Sequence, residues 1–151
     1  MISSFSIGFN LYNYIRHHLD KDKTILELGS GEVSGLLSLD YKVYSVEHDP
    51  KYIDKYQTNY IPTPIINGWY DLDPGDLPVF YDLLLIDGPP ERIGRCGILD
   101  SLGLFDLSKP VIVDDTHRRT EQRIASVFAN RKESEAVTFN DQHNKKFTVI
   151  W

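Results

Sequence analysis

Cysteine and methionine occur once each in the 151 residues, and the lone thiol, Cys96, leaves no partner for an intramolecular disulfide. A disulfide framework is excluded, and a reducing compartment is the natural setting. Long apolar runs are missing too, since no stretch approaches the roughly 20 residues that a membrane-spanning helix needs. Positive charge is also in deficit: 16 basic residues against 22 acidic ones give a formal charge of -6 and a sequence pI near 5.3. The overall electrostatic footprint of a nucleic-acid binder is therefore lacking. Near the start, Phe5, Ile7, Phe9, Leu11 and Tyr12 are interrupted by Ser and Asn, without the basic opening and small-residue cleavage site of a secretory signal. The expectation is a cytoplasmic chain with neither nucleic acid nor membrane as partner. What is present, 41% hydrophobic and 25% charged residues, is ordinary globular composition, and the length suits one domain over residues 1–151.

Short β-rich runs alternate with helical stretches, the mark of an α/β domain on a mainly parallel sheet. Five runs, at 24–28, 42–47, 64–67, 82–87 and 110–114, are apolar and closed by Gly, Asn or an acid, as strands covered on both faces should be. Helices are expected over 34–39, 50–56, 96–104 and 116–129, and another before the first strand, where Leu11, Ile15 and Leu19 recur every fourth residue. In the 116–129 stretch Ile124, Val127 and Phe128 share one face. The runs 135–139 and 146–151 are joined too tightly for a helical crossover and should form an antiparallel hairpin at a sheet edge. The segment 68–81, with Pro74, Gly75 and Pro78, reads as a long functional loop.

The first strand runs through Glu27-Leu28 directly into Gly29-Ser30-Gly31. In a doubly wound sheet that turn lies at the carboxyl edge, where ligands bind, and glycines let a ligand approach the backbone. Taken alone, Gly-x-Gly reads equally well as a plain tight turn. The second strand adds weight by ending at Glu47, about 20 residues after the turn, where an acid binds ribose hydroxyls. The fourth run ends at Asp87-Gly88-Pro89-Pro90 and the fifth at Asp114-Asp115-Thr116-His117, so three carboxylates and an imidazole converge on the same edge. Asp115 or Thr116 is expected to cap the following helix.

In these motifs the sequence resembles the class I S-adenosylmethionine-dependent methyltransferases: residues 27–31 look like their first motif, 45–49 their second and 82–88 their fourth. Val33 stands where a third glycine is common. The resemblance spans nearly the whole chain and implies a Rossmann-like three-layer sandwich, with a seven-stranded sheet ordered 3-2-1-4-5-7-6 and a C-terminal antiparallel hairpin. It implies S-adenosylmethionine as cofactor, with Glu27, Gly29, Ser30 and Gly31 beside its methionine part, Glu47 and His48 at its ribose, Asn67, Gly68 and Trp69 near its adenine, and Asp87 at the same edge. Trp69 reads alternatively as core.

Two chemistries fit the acids. Asp87, Asp114 and Asp115 suit Mg²⁺, which takes hard oxygen ligands, in an arrangement similar to metal-dependent O-methyltransferases. The metal-free reading makes Asp87 or His117 the general base, with Asp115 beside them as a further catalytic candidate. His117 and Asp115 read equally as a surface pair. Arg92, Arg95 and Arg118 follow the same strands and suit an anionic acceptor, through the guanidinium's forked geometry, or simply balance neighbouring acids. Relatives that methylate amino groups carry an Asn/Asp-Pro-Pro-aromatic motif. Here Gly88 intervenes and Glu91 replaces the aromatic, which points to oxygen of a small or saccharide-like acceptor. With few insertions to build a substrate lid, a homo-oligomer or partner-completed site is a further expectation. The competing classes are a cofactor-binding module without turnover and an NAD-dependent oxidoreductase, whose usual Gly-x-Gly-x-x-Gly spacing is absent.

Overall fold

A computed structural model describes residues 9–151; the apolar positions Phe5 and Ile7 lie outside them. Helix α1, Phe9–His18, buries Leu11, Tyr12 and Ile15, and its last turn carries Arg16, a favourable charge at a helix carboxyl end, beside His17 and His18. Strands β1 (Thr24–Leu28), β2 (Lys42–Glu47) and β3 (Asn59–Pro62) follow, with the short helix α2 (Glu32–Leu37) between the first two. A small ribbon, β4 (Ile65–Ile66) against β5 (Trp69–Tyr70), stands apart from the main sheet. Then come β6 (Leu83–Ile86), β7 (Val111–Val113), helix α3 (Arg119–Lys132), β8 (Ala136–Asn140) and β9 (Lys146–Ile150).

The main sheet has seven strands in the order β3-β2-β1-β6-β7-β9-β8. Numbered among themselves along the chain, these run 3-2-1-4-5-7-6, the order the resemblance implies. The first five are parallel, whereas β9 is antiparallel to both β7 and β8. Side-chain alternation divides the core between two faces. Leu83 and Leu85 of β6, Ile112 of β7 and Val149 of β9 pack with Leu11, Ile15 and Leu37 of α1 and α2. Leu84, Ile86, Val111 and Val113 pack with Ile124 and Phe128 of α3 on the other side. Among the described residues no helix is long and apolar enough to cross a membrane.

The structure corrects several expected elements. The third strand is β3, not 64–67: β3 is an edge strand, where Pro62 is tolerated. The apolar Ile65 and Ile66 instead pair with Tyr70 and Trp69 across Asn67-Gly68, whose φ angles of 52° and 80° make the left-handed turn that Asn-Gly favours. Residues 50–56 form turns rather than a helix, with Asp54 at φ 62°. The 96–104 stretch, which contains Gly97 and Gly103, is two short 3₁₀ segments, consistent with the roughly 1 kcal/mol that each glycine costs an α-helix. Helix α3 begins at Arg119, with Arg118 at the N-cap position and no side-chain cap, so neither Asp115 nor Thr116 caps it. The loop before β6 contains a 3₁₀ turn at Pro74–Asp76.

Because Phe128 is fully buried between α3 and the sheet, Phe128→Ala should lower unfolding stability by about 3–5 kcal/mol, measured by urea denaturation.

Candidate cofactor cleft and carboxylate cluster

Parallel strands β1, β2 and β6 end at one level, and backbone bonds extend their register past the last sheet residue. Gly29 N donates to Val46 O at 2.8 Å, and Asp87 N donates to Leu28 O at 2.9 Å. The turns leaving β1 and β6 touch backbone to backbone. A Cβ at Gly29, whose φ is 90°, would lie 2.8 Å from both Asp87 O and Gly88 Cα. One at Gly88 would lie 2.7 Å from Gly29 Cα and 2.5 Å from the Tyr70 hydroxyl. Only glycine fits either place.

Glu47 closes the gap between β1 and β2. Its Oε2 accepts from Ser30 N at 2.8 Å and its Oε1 from His48 N and Asp49 N, both at 2.8 Å. Behind it Glu27 is buried inside the sheet and accepts from the Ser45 hydroxyl. Burial, with Glu47 nearby and against the bonds from Ser34 and Ser45, pushes its carboxyl up to about 7.

These elements surround a cleft of about 380 Å³ whose lining includes Gly29, Ser30, Glu47, His48, Tyr70 and Asp87, within the size range of sites that hold drug-sized ligands. Asp49, Tyr52, Gly88, Pro90 and Lys145 complete its wall. The Tyr70 hydroxyl is buried there without a hydrogen-bond partner, and burial, with Glu47 and Asp87 nearby, raises its pKa.

At the β6 and β7 ends, one oxygen from each of Asp87, Asp114 and Asp115 lies within 4.8 Å of the others. Burial, reinforced by Asp114, pushes Asp87 well above the usual carboxylate range. Burial and then Asp115 push Asp114 to about 6. For Asp115 burial acts in the same direction but is outweighed by Arg95, Arg118 and Lys145, which together hold it below its ordinary value. Asp115 itself is left-handed, with φ 60°.

The structure thus brings Gly29, Ser30, Glu47, His48 and Asp87 to one cleft, with Asp114 and Asp115 beside Asp87. It places other expected residues elsewhere. Gly31 is the N-cap of α2 and is not part of the cleft lining. Asn67 and Gly68 form the exposed turn of the β4–β5 ribbon. Trp69 is buried in the core against Gly97, where a Cβ would lie 2.5 Å from the Trp69 Cβ; its neighbour Tyr70 faces the cleft instead. Arg95 is only 3% exposed and bound to protein oxygens, not open to an acceptor. Arg118 lies 3.5–3.7 Å from Glu91, Asp115 and Glu121, while Arg92 and His117 are exposed. Sequence reasoning missed Tyr70, Tyr52 and Lys145. The Asn67-Gly68 dipeptide was the available signal for the first.

No protein-family model and no curated protein matches the sequence. Solved structures do match. Over 93% of this chain and 92% of the other, it is similar to an rRNA methylase from Streptococcus thermophilus, at 11% identity and TM-score 0.62. It is similar to a methyltransferase from Pyrococcus furiosus over 94% of this chain and 81% of that one, at 17% identity and TM-score 0.56. Fibrillarin from Aeropyrum pernix, solved with natively bound S-adenosyl-L-methionine, matches over 95% and 74%, at 15% identity and TM-score 0.59. The chain has the fold of the class I S-adenosylmethionine-dependent methyltransferases.

Two outcomes test this geometry. Gly29→Ala should cost about 1–3 kcal/mol in urea denaturation, whereas Gly31→Ala, with φ -161° and no atom within 4 Å of the added Cβ, should stay within about 0.5 kcal/mol. Glu27 binds its proton more tightly folded than unfolded, so stability falls as pH rises from about 4.5 to about 7. Glu27→Gln should flatten that part of the stability profile, by an amount on the order of 3 kcal/mol.

Proposed function

We propose that the chain is an S-adenosylmethionine-dependent methyltransferase, and the observation that carries this is the glycine-walled cleft at the β1, β2 and β6 ends with acids facing it. The cleft suits the cofactor on two counts: the Gly29–Gly88 contact keeps side chains off its floor, and the buried Tyr70 hydroxyl lacks a partner within the chain. Gly29 and Ser30 would border the methionine part, Glu47 and His48 the ribose, with Tyr52 and Tyr70 offering ring faces and edges. When bound, the cofactor supplies an electrophilic methyl group, and the protein's part is alignment and proton removal.

Asp87 and Asp114 are the groups suited to accept a proton from an acceptor hydroxyl, because both are held above the usual carboxylate range. Asp115 is committed to its cations, and His117 stands outside the cluster. The three acids do not suit Mg²⁺: an Arg95 nitrogen lies 2.9 Å from Asp115 Oδ2 and 3.7 Å from Asp87 Oδ1, and this guanidinium takes the positive place among them.

For the acceptor we favour a hydroxyl on a small or saccharide-like molecule with an anionic group. Exposed Arg92 supports this, with Arg95 and Arg118 withdrawn from the role and Lys145, on the cleft wall, shared with Asp115 at 3.7 Å. RNA is the second reading, favoured by cation–π contacts of Lys51 and Lys55 with Tyr52 and of Lys55 with Tyr56 beside the cleft, and by the rRNA methylase among the similar structures.

Calorimetric titration should show binding of S-adenosylmethionine and S-adenosylhomocysteine and none of NAD; no binding of either sulfur compound would end the methyltransferase reading. Transfer of labelled methyl should be unaffected by EDTA and should fall about 10²-fold or more in Asp87→Asn. With the base form required, Asp114 near 6 and Asp87 also held well above the usual carboxylate range, the rate should rise with pH through about 6 and continue to rise above it. A panel of acidic sugars, hydroxy acids and single-stranded RNA separates the two acceptor readings, and cofactor binding without transfer to any of them would favour a binding module.

A further inference from the structure

Arg95 is an unusual residue to bury. It is 3% exposed, yet each guanidinium nitrogen has an oxygen partner. Nε donates to Pro89 O at 3.0 Å, Nη1 to Asp114 O at 3.2 Å, and Nη2 to Asp87 O at 3.1 Å and Asp115 Oδ2 at 2.9 Å. Asp87 Oδ1 at 3.7 Å and Glu121 Oε1 at 3.9 Å complete its surroundings. Three of these partners are backbone carbonyls, two from the turn after β6 and one from the turn after β7. Strand pairing ends with Asp114 N on Ile86 O, and beyond that point Arg95 is the buried side chain that hydrogen-bonds backbone carbonyls of both turns, while the partly exposed Arg118 reaches Glu91 only as an ion pair at 3.7 Å. A guanidinium holds such a set because its donors lie in one rigid plane, whereas an ammonium has no comparable fork.

We propose that Arg95 is a positioning residue that clips the turn after β6 to the turn after β7 and thereby holds Asp87 and Asp114 face to face at the transfer edge. The role given to those two acids rests on the methyltransferase reading; the clip itself does not. Its positive charge also counters the burial of both acids, and by binding Asp115 it leaves only the pair available for a proton. Arg118 and Lys145 approach Asp115 from the helix and hairpin sides at 3.5 and 3.7 Å; Arg118 also meets the largely exposed Glu91 of the β6 turn at 3.7 Å, but among the described residues neither cation hydrogen-bonds that turn's backbone as Arg95 does.

The test compares wild type, Arg95→Met and Arg95→Lys by carboxyl ¹³C titration of Asp87 and Asp114, with circular dichroism as the check of folding and methyl transfer resolved into kcat and KM. In folded Arg95→Met both titration midpoints should rise by about one unit or more. In Arg95→Lys the charge is restored without the fork: the midpoints should return part of the way, while kcat stays about tenfold or more below wild type and KM for S-adenosylmethionine changes less than about twofold. Wild-type midpoints in a folded Arg95→Met protein, or wild-type kcat in Arg95→Lys, would overturn the proposal. If Arg95→Met does not fold, Arg95→Lys decides alone by the same criteria. The titrations need no cofactor, so a wild type that fails to bind S-adenosylhomocysteine sinks the methyltransferase reading while the midpoints still decide the clip.

Discussion

The contact between Gly29 and Gly88 is the constraint on which the rest of this edge depends. Two strand ends can meet backbone to backbone only where neither carries a Cβ, and here an added Cβ would lie within 2.8 Å of the opposing chain on either side. The approach keeps β1 and β6 in register past their last sheet residues, leaves a floor bare of side chains, and sets the Tyr70 hydroxyl against Gly88. From that floor Glu47 rises on one side and Asp87 on the other. The cleft is a consequence of strand ends meeting closely, and the 3-2-1-4-5-7-6 order supplies the crevice in which ligands of such sheets bind.

The net charge of -6 acquires a location in this frame. Glu27, Glu47, Asp87, Asp114, Asp115 and Glu121 all lie at or near the carboxyl edge with little or partial exposure, and water cannot screen them there as it would on the surface. The chain handles them in different ways. Glu47 takes three backbone N–H groups, Asp115 takes three cations, and Glu27 and Asp114 move toward neutrality. Their partners thus divide these carboxylates into those tied to backbone N–H groups or cations and those that burial moves toward neutrality, a division expected where acids share a buried site.

How much of this was legible beforehand depends on the range of the interactions involved. The strand ends at Glu47 and Asp87 and the Gly29 turn are local patterns, and they read correctly. So did the C-terminal hairpin, because the joint between its strands is too short for anything else. The β3 strand did not, because its residues, with Pro62, look weaker than the apolar pair Ile65-Ile66; being at an edge is a property of the sheet, not of the segment. Trp69 and Tyr70 exchange roles across one residue, and a ribbon's register decides which side chain faces in. Arg95 reads from sequence as suited to an anionic acceptor because its burial depends on carbonyls from Pro89 and Asp114, the latter 19 residues away. Lys145 reaches the cleft only because the β8–β9 hairpin folds back beside β7.

The central claim is that the cleft at the β1, β2 and β6 ends receives S-adenosylmethionine. The most direct measurement is an amide NMR titration of the ¹⁵N-labelled chain with S-adenosylhomocysteine. The account predicts saturable shifts centred on Gly29, Ser30, His48, Asp49 and Gly88, with the exposed Asn67-Gly68 turn little changed. Saturable shifts centred elsewhere, with Gly29 and Gly88 unmoved, would contradict it.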